Sequence, residues 1–103
     1  MDKNSKSLNK MVSIITINYN GYKETCELIE SFHKVETYPY ELIVVDNASK
    51  EDEGKLLKEK YPDIIIVCSD KNLGFAGGNN LGYQYATGEY ILYINNDITI
   101  AAP

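Results

Sequence analysis

Short polar residues follow three apolar runs of the sequence, and their side chains are of the types that bind ligands. They are Asn18 and Asn20, then Asp46 and Asn47, then Asn95, Asn96 and Asp97. In open α/β sheets, ligand chemistry lies at the carboxyl ends of buried parallel strands, where such carboxylates and amides would stand. Asn and Asp also favour turns, so each group taken singly is explained equally well by a turn.

A glycine-rich stretch at residues 72–80 (NLGFAGGNN) is the second candidate for ligand binding. We predict a loop here that leads into a short helix at about residues 80–86. Backbone N–H groups at such a loop and helix start bind anions. A flexible loop with no ligand explains the same composition equally well.

The elements that must position these residues alternate between strands and helices. Apolar runs predict strands at residues 11–17, 42–45, 64–67 and 90–94, each covered on both faces. Helical patterns fall at about 22–35, 49–61 and 80–86, with Ser49 as the N-cap of the second helix. This βαβαβαβ order is typical of a parallel sheet with right-handed crossovers. Because parallel strands end along one edge, the polar groups are predicted to converge on one crevice.

The composition excludes several functional classes. The 103 residues include 15 acidic and 10 basic side chains, a net charge of −5, which argues against a nucleic-acid partner. An anion bound to so acidic a chain needs a metal ion, backbone N–H donors, or both. Neither a Gly-x-Gly-x-x-Gly turn nor a Gly-Lys-Ser/Thr phosphate loop is present, which argues against dinucleotide dehydrogenases and P-loop NTPases.

The remaining single residues and the first segment have simpler interpretations. Cys26 and Cys68 lack metal-ligand spacing and are predicted to be buried free thiols, and His33 is predicted to be a surface residue. Residues 1–10 are predicted to form a mobile tail. No apolar run reaches the length of a membrane span, so a reducing, cytoplasmic setting is the default expectation.

Four segments in this order resemble the amino-terminal half of family 2 glycosyltransferases of the GT-A fold. They are residues 11–20 (MVSIITINYN), 41–49 (ELIVVDNAS), 72–80 (NLGFAGGNN) and 95–97 (NND). The resemblance covers residues 11–103, and the last two segments are most similar to the rhamnosyltransferase-like branch. The expected fold is α/β, a Rossmann-like (GT-A) sheet of about four parallel strands in the order 3-2-1-4, with helices on both faces. The ligand is expected between the ends of strands one and four.

The resemblance implies transfer of a sugar from a dTDP- or UDP-sugar, such as dTDP-rhamnose, to a glycan or lipid-linked acceptor. The transfer would be inverting and would belong to bacterial cell-wall or polysaccharide synthesis. The implied nucleotide-binding residues are Ile17, Asn18, Tyr19, Asn20, Asp46, Asn47, Gly74, Gly78, Asn79, Asn95 and Asn96.

Three of these positions carry specific implications. Asp46 matches the acid that accepts a hydrogen bond from uracil or thymine. Asp97 matches the acid that binds Mg²⁺ or Mn²⁺, which would bridge the two phosphates. Asn95 replaces the first aspartate of the Asp-x-Asp motif, and Asn79 stands where many members have an arginine near the diphosphate.

The family's acceptor-binding region and general base are expected beyond residue 103. We therefore expect the chain alone to bind the donor weakly and to transfer little, in a cytoplasmic setting at or near the inner face of the membrane. The alternative is a non-catalytic nucleotide-binding or protein-interaction module of the same fold. If the family's second half is missing, the fourth strand forms an edge with Tyr90, Tyr93 and Ile100 exposed, and edges of this kind favour a homo-oligomer.

Overall fold

The computed structural model describes residues 11–35 and 39–97 of the chain. Its elements follow the predicted alternation: β1 (Val12–Asn18), α1 (Tyr22–His33), β2 (Tyr40–Asn47), a 3₁₀ turn (Lys50–Asp52), α2 (Glu53–Lys60), β3 (Ile65–Ser69), α3 (Gly74–Tyr83) and β4 (Tyr90–Tyr93). The four strands pair in parallel in the order β3-β2-β1-β4, which confirms the predicted sheet. The predicted tail at residues 1–10 lies outside the described residues.

Two apolar layers hold the helices on opposite faces of the sheet. Ile14 and Val44 pack with Leu28 of α1 and Leu57 of α2 on one face. Ile15, Ile43 and Val45 pack with Leu81 of α3 on the other face. Successive side chains of a strand point to opposite faces, so unbroken apolar runs are what a sheet covered on both sides requires. The strand order reverses at β1, which places α3 on the face opposite α1 and α2.

The glycine-rich stretch forms most of helix α3, so the prediction of a loop and of a helix start near residue 80 was wrong. The helix begins at Gly74, whose φ of +76° is readily adopted by glycine. A Cβ built on Gly78 would lie 2.8 Å from Ile17 Cδ1, and one on Gly82 would lie 2.7 Å from Ile15 Cγ2. These glycines therefore let the helix approach the sheet closely, and this packing outweighs their poor helix propensity.

Strand β4 is an edge of the sheet. The prediction that both of its faces are covered was wrong. Tyr90, Leu92 and Tyr93 are 50%, 48% and 45% exposed. Among the described residues β4 pairs with β1 and no other strand, so its outer side lacks a neighbour. The expected exposure of Tyr90 and Tyr93 is confirmed, whereas Ile100 lies outside the described residues.

The two thiols differ, although both were predicted to be buried. Cys26 is buried on α1, but Cys68 is exposed, because β3 is the other edge of the sheet and its carboxyl end is incompletely covered. His33 ends α1 as an exposed residue, as predicted, with Nε2 lying 3.2 Å from Oδ2 of Asp63. Within residues 11–35 and 39–97, no helix has the length and apolar character required to cross a bilayer.

A carboxylate fixes the loop before β4 at the amino edge of the sheet. Oε2 of Glu41 accepts hydrogen bonds from Ser13 Oγ (2.6 Å) and from the Thr87 N–H (2.6 Å). The Gly88 N–H donates to Ser13 Oγ over 2.8 Å. Burial acts to raise the pKa of Glu41, but the hydrogen bonds from Ser13 and Thr87 outweigh it and lower the pKa below its ordinary value. The ionised carboxylate therefore stabilises the position of β4.

Candidate functional site

The carboxyl ends of β1 and β2 share a buried polar pair. Asn18 and Asp46 are neighbours in the strand register, and Asn18 Nδ2 donates a hydrogen bond of 2.8 Å to Asp46 Oδ1. Asn18 is fully buried and Asp46 is 5% exposed. Nδ2 of Asn18 also lies 3.0 Å from Oε1 of Glu53 at the start of α2. The predicted convergence of the first two polar groups is therefore present, and Glu53 is an additional member.

Ser49 belongs to this polar cluster. The prediction that it is the N-cap of helix α2 was wrong. Its hydroxyl donates to Asp46 Oδ1 over 2.6 Å, and its N–H donates to Asp46 Oδ2 over 3.3 Å. Ala48, with a φ of 62°, turns the backbone so that Ser49 lies over the end of β2, and the 3₁₀ turn then precedes α2. Asn20 joins the cluster because its N–H donates to Ser49 Oγ over 2.8 Å. The loops after β1 and β2 are thus fixed to each other.

The segment after β4 reaches the same cluster through a residue of α1. Asn96 Nδ2 donates to Thr25 Oγ1 over 3.0 Å, and Thr25 Oγ1 donates to Asn18 Oδ1 over 2.6 Å. Polar side chains that follow three different strands are therefore connected. Neither Thr25 nor Glu53 was identified from the sequence as a site residue. Thr25 lies in the first turn of α1, close in sequence to Asn18 and Asn20, and only this position indicated its place at the sheet edge.

Asn47 lies with α3 rather than with Asp46, because adjacent residues of a strand face opposite sides. Its Oδ1 accepts from the Leu73 N–H (2.8 Å), and its Nδ2 donates to the Gly74 carbonyl (3.1 Å). Asn47 thereby fixes the amino end of α3 at the carboxyl edge of the sheet. The next N–H groups, those of exposed Phe75 and Ala76, belong to the first turn, where an α-helix has no internal acceptors. Such groups bind anions.

The other predicted site residues occupy different surroundings. Ile17 packs in the apolar layer under α3, against the position of Gly78. Tyr19 is 49% exposed just beyond β1, and Asn79 is partly buried on α3. The structure therefore places Asn18, Asn20, Asp46 and Asn96 in one hydrogen-bonded cluster and sets Ile17 on the opposite face of the sheet.

Asp97 and Asn95 are exposed on either side of the partly buried Asn96. Within residues 11–35 and 39–97, no group of three or more His, Cys, Asp or Glu side chains is arranged to hold a metal ion. Mg²⁺ sites commonly use one or two carboxylates with water and substrate phosphates as the other ligands. The exposed carboxylate of Asp97 is of the type that such shared sites use, whereas the described residues do not form a cage for a metal ion by themselves.

A cavity of about 370 Å³ opens beside Asp46. Its lining residues are Asp46, Ala48, Ser49, Asp52, Gly54, Lys55, Cys68, Ser69 and Asp70. Burial raises the pKa of the Cys68 thiol, the charge of Asp46 raises it further, and Lys58 only partly opposes them. The thiol is therefore protonated at neutral pH and is a poor nucleophile. A larger cavity of about 640 Å³ lies between α1 and α2 and is lined by none of the predicted site residues.

The fold and the polar cluster agree with a match between the sequence and a known family. The profile described as Glycosyl transferase family 2 matches residues 13–102. The chain belongs to glycosyltransferase family 2. The GT-A fold expected for this family is the one observed, with its parallel sheet in the order 3-2-1-4.

Curated relatives in the family are much longer than this chain. The uncharacterized glycosyltransferase YwdF of Bacillus subtilis is 32% identical over 88 residues, which cover 84% of this chain and 32% of YwdF. The minor teichoic acid biosynthesis protein GgaB of the same organism is 34% identical over 100 residues, covering 91% of this chain and 11% of GgaB. The chain therefore spans about a third or less of these relatives.

Solved structures of glycosyltransferases share the fold. TarS 1-349 of S. aureus has a TM-score of 0.72 and 30% identity, over 84% of this chain and 27% of that chain, and it has also been solved with UDP and with UDP-GlcNAc. The mannosyltransferase PcManGT of Pyrobaculum calidifontis, in complex with GDP-Man and Mn²⁺, has a TM-score of 0.68 and 26% identity. The matched region covers 84% of this chain and 27% of the PcManGT chain.

Proposed function

We propose that this chain is the donor-binding part of a glycosyltransferase that uses a UDP- or dTDP-sugar. The observation that carries the proposal is the hydrogen-bonded cluster that joins Asp46, Asn18 and Asn96 at the carboxyl edge of the sheet. The complexes of TarS with UDP and UDP-GlcNAc support a UDP-sugar as the first donor to test, before dTDP-rhamnose.

In this proposal the two acids of the cluster region have separate tasks. Asp46 accepts a hydrogen bond from the N–H of the uracil or thymine ring, since hydrogen bonds from Ser49 to both of its oxygens hold the carboxylate in place. Asp97 is the residue that would hold Mg²⁺ or Mn²⁺ beside the diphosphate. When bound, the cation would neutralise the charge of the departing diphosphate. The Mn²⁺ of the PcManGT complex supports this choice of metal.

The amino end of α3 provides a second way to bind the diphosphate. Its first-turn N–H groups stand at the same sheet edge, and the helix dipole favours a negative group there. This matters in a chain with a net charge of −5 and with Asn79 in place of an arginine. We assign Gly74 to this anion-binding turn and Gly78 to the close packing that fixes it.

The acceptor and the reaction's stereochemistry belong to the proposed full enzyme. We assign no general base within the described residues, and we place that group and the acceptor site in the additional length that the relatives have. The proposed acceptor is a glycan or lipid-linked glycan at the cytoplasmic face of the membrane, with inversion at the sugar. The name of GgaB supports a role in cell-wall polysaccharide synthesis.

Calorimetry on the 103-residue chain with UDP and dTDP, each with and without Mn²⁺, tests the donor site. We expect UDP to bind more tightly with Mn²⁺ in the wild type and equally with and without Mn²⁺ in Asp97→Ala. Glu89→Ala, which removes another exposed carboxylate near β4, serves as the control and is expected to behave as the wild type. Absence of nucleotide binding under every condition would favour the alternative of a non-catalytic protein-interaction module.

The exposed β4 edge supports a proposal of self-association. The strand carries no charged residue that would discourage pairing, and half-exposed Tyr90, Leu92 and Tyr93 would be covered by a second copy. Light scattering at tens of micromolar is expected to show a dimer or larger species, and Leu92→Lys is expected to return it to a monomer. A monomeric wild type at this concentration would contradict the proposal.

A further inference from the structure

The hydroxyl of Thr25 lies between the two parts of the proposed donor site. Its Oγ1 accepts a hydrogen bond from Asn96 Nδ2 and donates one to Asn18 Oδ1, over 3.0 and 2.6 Å. Asn18 in turn donates to Asp46 over 2.8 Å. Thr25 and Asn18 are fully buried. A continuous chain of hydrogen bonds therefore runs from the segment after β4 to the carboxylate in β2.

All donors in this chain point towards Asp46. The amide of Asn96 donates to the hydroxyl, the hydroxyl donates to the amide oxygen of Asn18, and the amide nitrogen of Asn18 donates to the carboxylate. Hydrogen bonds aligned in one direction polarise one another, and an ionised acceptor at the end strengthens them. A valine in place of Thr25 would keep the shape and remove both bonds.

The backbone of β4 is held by β1 as far as Ile94, whose N–H donates to the Ile15 carbonyl over 3.0 Å. Beyond Ile94, the next hydrogen bond towards Asp97 in the described part of the chain is the one from Asn96 to Thr25. Gly21 constrains the same amide from the other side, since a Cβ built there would lie 2.9 Å from Asn96 Nδ2. The side chain of Asn96 thus occupies a space defined by α1.

We propose that Thr25 is a positioning residue that fixes Asn96, and with it the adjacent Asp97, relative to Asp46. The inference rests on the proposed function, in which Asp46 meets the base and Asp97 meets the cation on the diphosphate. The spacing of these two subsites has to match one nucleotide. Loosening the connection therefore reduces the gain in UDP affinity given by Mn²⁺ more than it reduces the affinity for uridine, which reaches only the base.

Calorimetry on the 103-residue chain measures the Mn²⁺-dependent gain in UDP affinity and the affinity for uridine, for the wild type, Thr25→Val and Thr25→Ser. We expect Thr25→Val to reduce the Mn²⁺-dependent gain for UDP about fivefold, the effect of one typical hydrogen bond, and Thr25→Ser to retain it. Ser31→Ala is the control, because it removes a hydroxyl of the same helix that donates to the Leu28 carbonyl over 2.7 Å and lies outside the polar cluster. It is expected to leave the gain unchanged.

Gly21→Ala provides a second variant that leaves the hydroxyl in place. Its φ of −129° is accessible to alanine, and the new methyl group displaces the Asn96 amide, so the Mn²⁺-dependent gain falls here also. If Mn²⁺ raised the UDP affinity of the wild type, Thr25→Val and Gly21→Ala by the same factor, the role of Thr25 would be overturned and the proposed function would stand. A wild-type chain with no such gain would instead contradict the proposed function.

A measurement without nucleotide separates these outcomes further. The side-chain amide resonances of Asn96 in a ¹⁵N correlation spectrum are expected to shift in Thr25→Val and Gly21→Ala and to stay unchanged in Ser31→Ala. Unchanged Asn96 resonances in both test variants would show that the contact does not hold Asn96. That result would overturn the inference whether or not UDP binds.

Discussion

Asn18 donates a hydrogen bond of 2.8 Å to Asp46 although 28 residues separate them in the chain. The parallel register of β1 and β2 places the two residues side by side at the carboxyl edge. Both are buried, so each limits the positions open to the other. The orientation of the Asp46 carboxylate is thus set by a neighbouring strand and by Ser49, and a base that binds it meets a preformed acceptor.

The first prediction concerns the charge of Asp46. Asp46→Asn keeps the size of the side chain and removes its negative charge, so the hydrogen bond to the base loses its ionic character. We expect UDP affinity to fall about tenfold, since hydrogen bonds to charged groups contribute about 1.5–3 kcal/mol. Calorimetry with UDP measures the change. Glu59→Gln on the exposed surface of α2 is the control, and an equal loss in both variants would contradict the assignment.

The second prediction concerns the neutral residue of the metal motif. Asn95→Asp adds a carboxylate two residues before Asp97, where both side chains are exposed and free to approach a cation. A second anionic oxygen ligand is expected to tighten Mn²⁺ binding. Electron paramagnetic resonance of free Mn²⁺ during titration measures this in the presence of UDP. Weaker or unchanged Mn²⁺ binding would argue against a cation at this motif.

The third prediction concerns the contact between α3 and the sheet. Gly82→Ala would place a methyl group 2.7 Å from Ile15 Cγ2 and 2.9 Å from Val45 Cγ2, in a fully packed layer. We expect the free energy of unfolding to fall by about 1–3 kcal/mol, because overpacking exceeds the gain in helix propensity. Urea denaturation measures it.

Asn80→Ala, on the exposed side of α3, is the control for that experiment. It improves helix propensity without touching the sheet, and it is expected to leave stability unchanged or to raise it by a few tenths of a kcal/mol. If Gly82→Ala proved as stable as Asn80→Ala, the close approach of α3 would not depend on the glycine.

The fourth prediction concerns pH and Glu41. Its pKa is lowered in the folded state, so the ionised carboxylate stabilises the fold above the ordinary value of 4.5, and this contribution is lost as pH falls from there through the folded pKa. Glu41→Gln is expected to be less stable than the wild type at pH 7 and to approach it in acid. Urea denaturation of both proteins between pH 3 and pH 7 tests this. A difference that is constant with pH would show that the carboxylate's charge does not contribute.

The alternation of strands and helices and the placement of the polar residues were predictable because both follow from local patterns, whereas the strand order 3-2-1-4 was implied by the family resemblance. Unbroken apolar runs separated by helical periods allow a parallel sheet, and short polar residues after each strand mark its carboxyl edge. The resemblance to family 2 glycosyltransferases, expected over residues 11–103, is confirmed by the family match at residues 13–102. The roles given to Asp46 and Asp97 remain predictions.

The wrong predictions share a cause, which is that local preference was applied where packing decides. The glycines within residues 72–80 indicated a loop by propensity, yet Gly78 serves the contact between a helix and the sheet. Ser49 had the side chain of an N-cap, but the 3₁₀ turn at Lys50–Asp52 separates it from α2, and its Oγ accepts from the Asn20 N–H instead. The apolar run of β4 resembled a covered strand, although its place at the edge leaves it half exposed.

By itself the sequence determined the alternation of strands and helices, the family, and the types of side chain at the carboxyl edge. Only the tertiary structure decided which of these side chains meet, because contacts across 28 residues (Asn18 to Asp46) and 71 residues (Thr25 to Asn96) depend on strand register and on which face a residue occupies. It separated Asp46 from Asn47, two neighbours in the chain, onto opposite faces of the sheet. It also introduced Thr25, whose buried hydroxyl joins the end of β1 to the segment after β4.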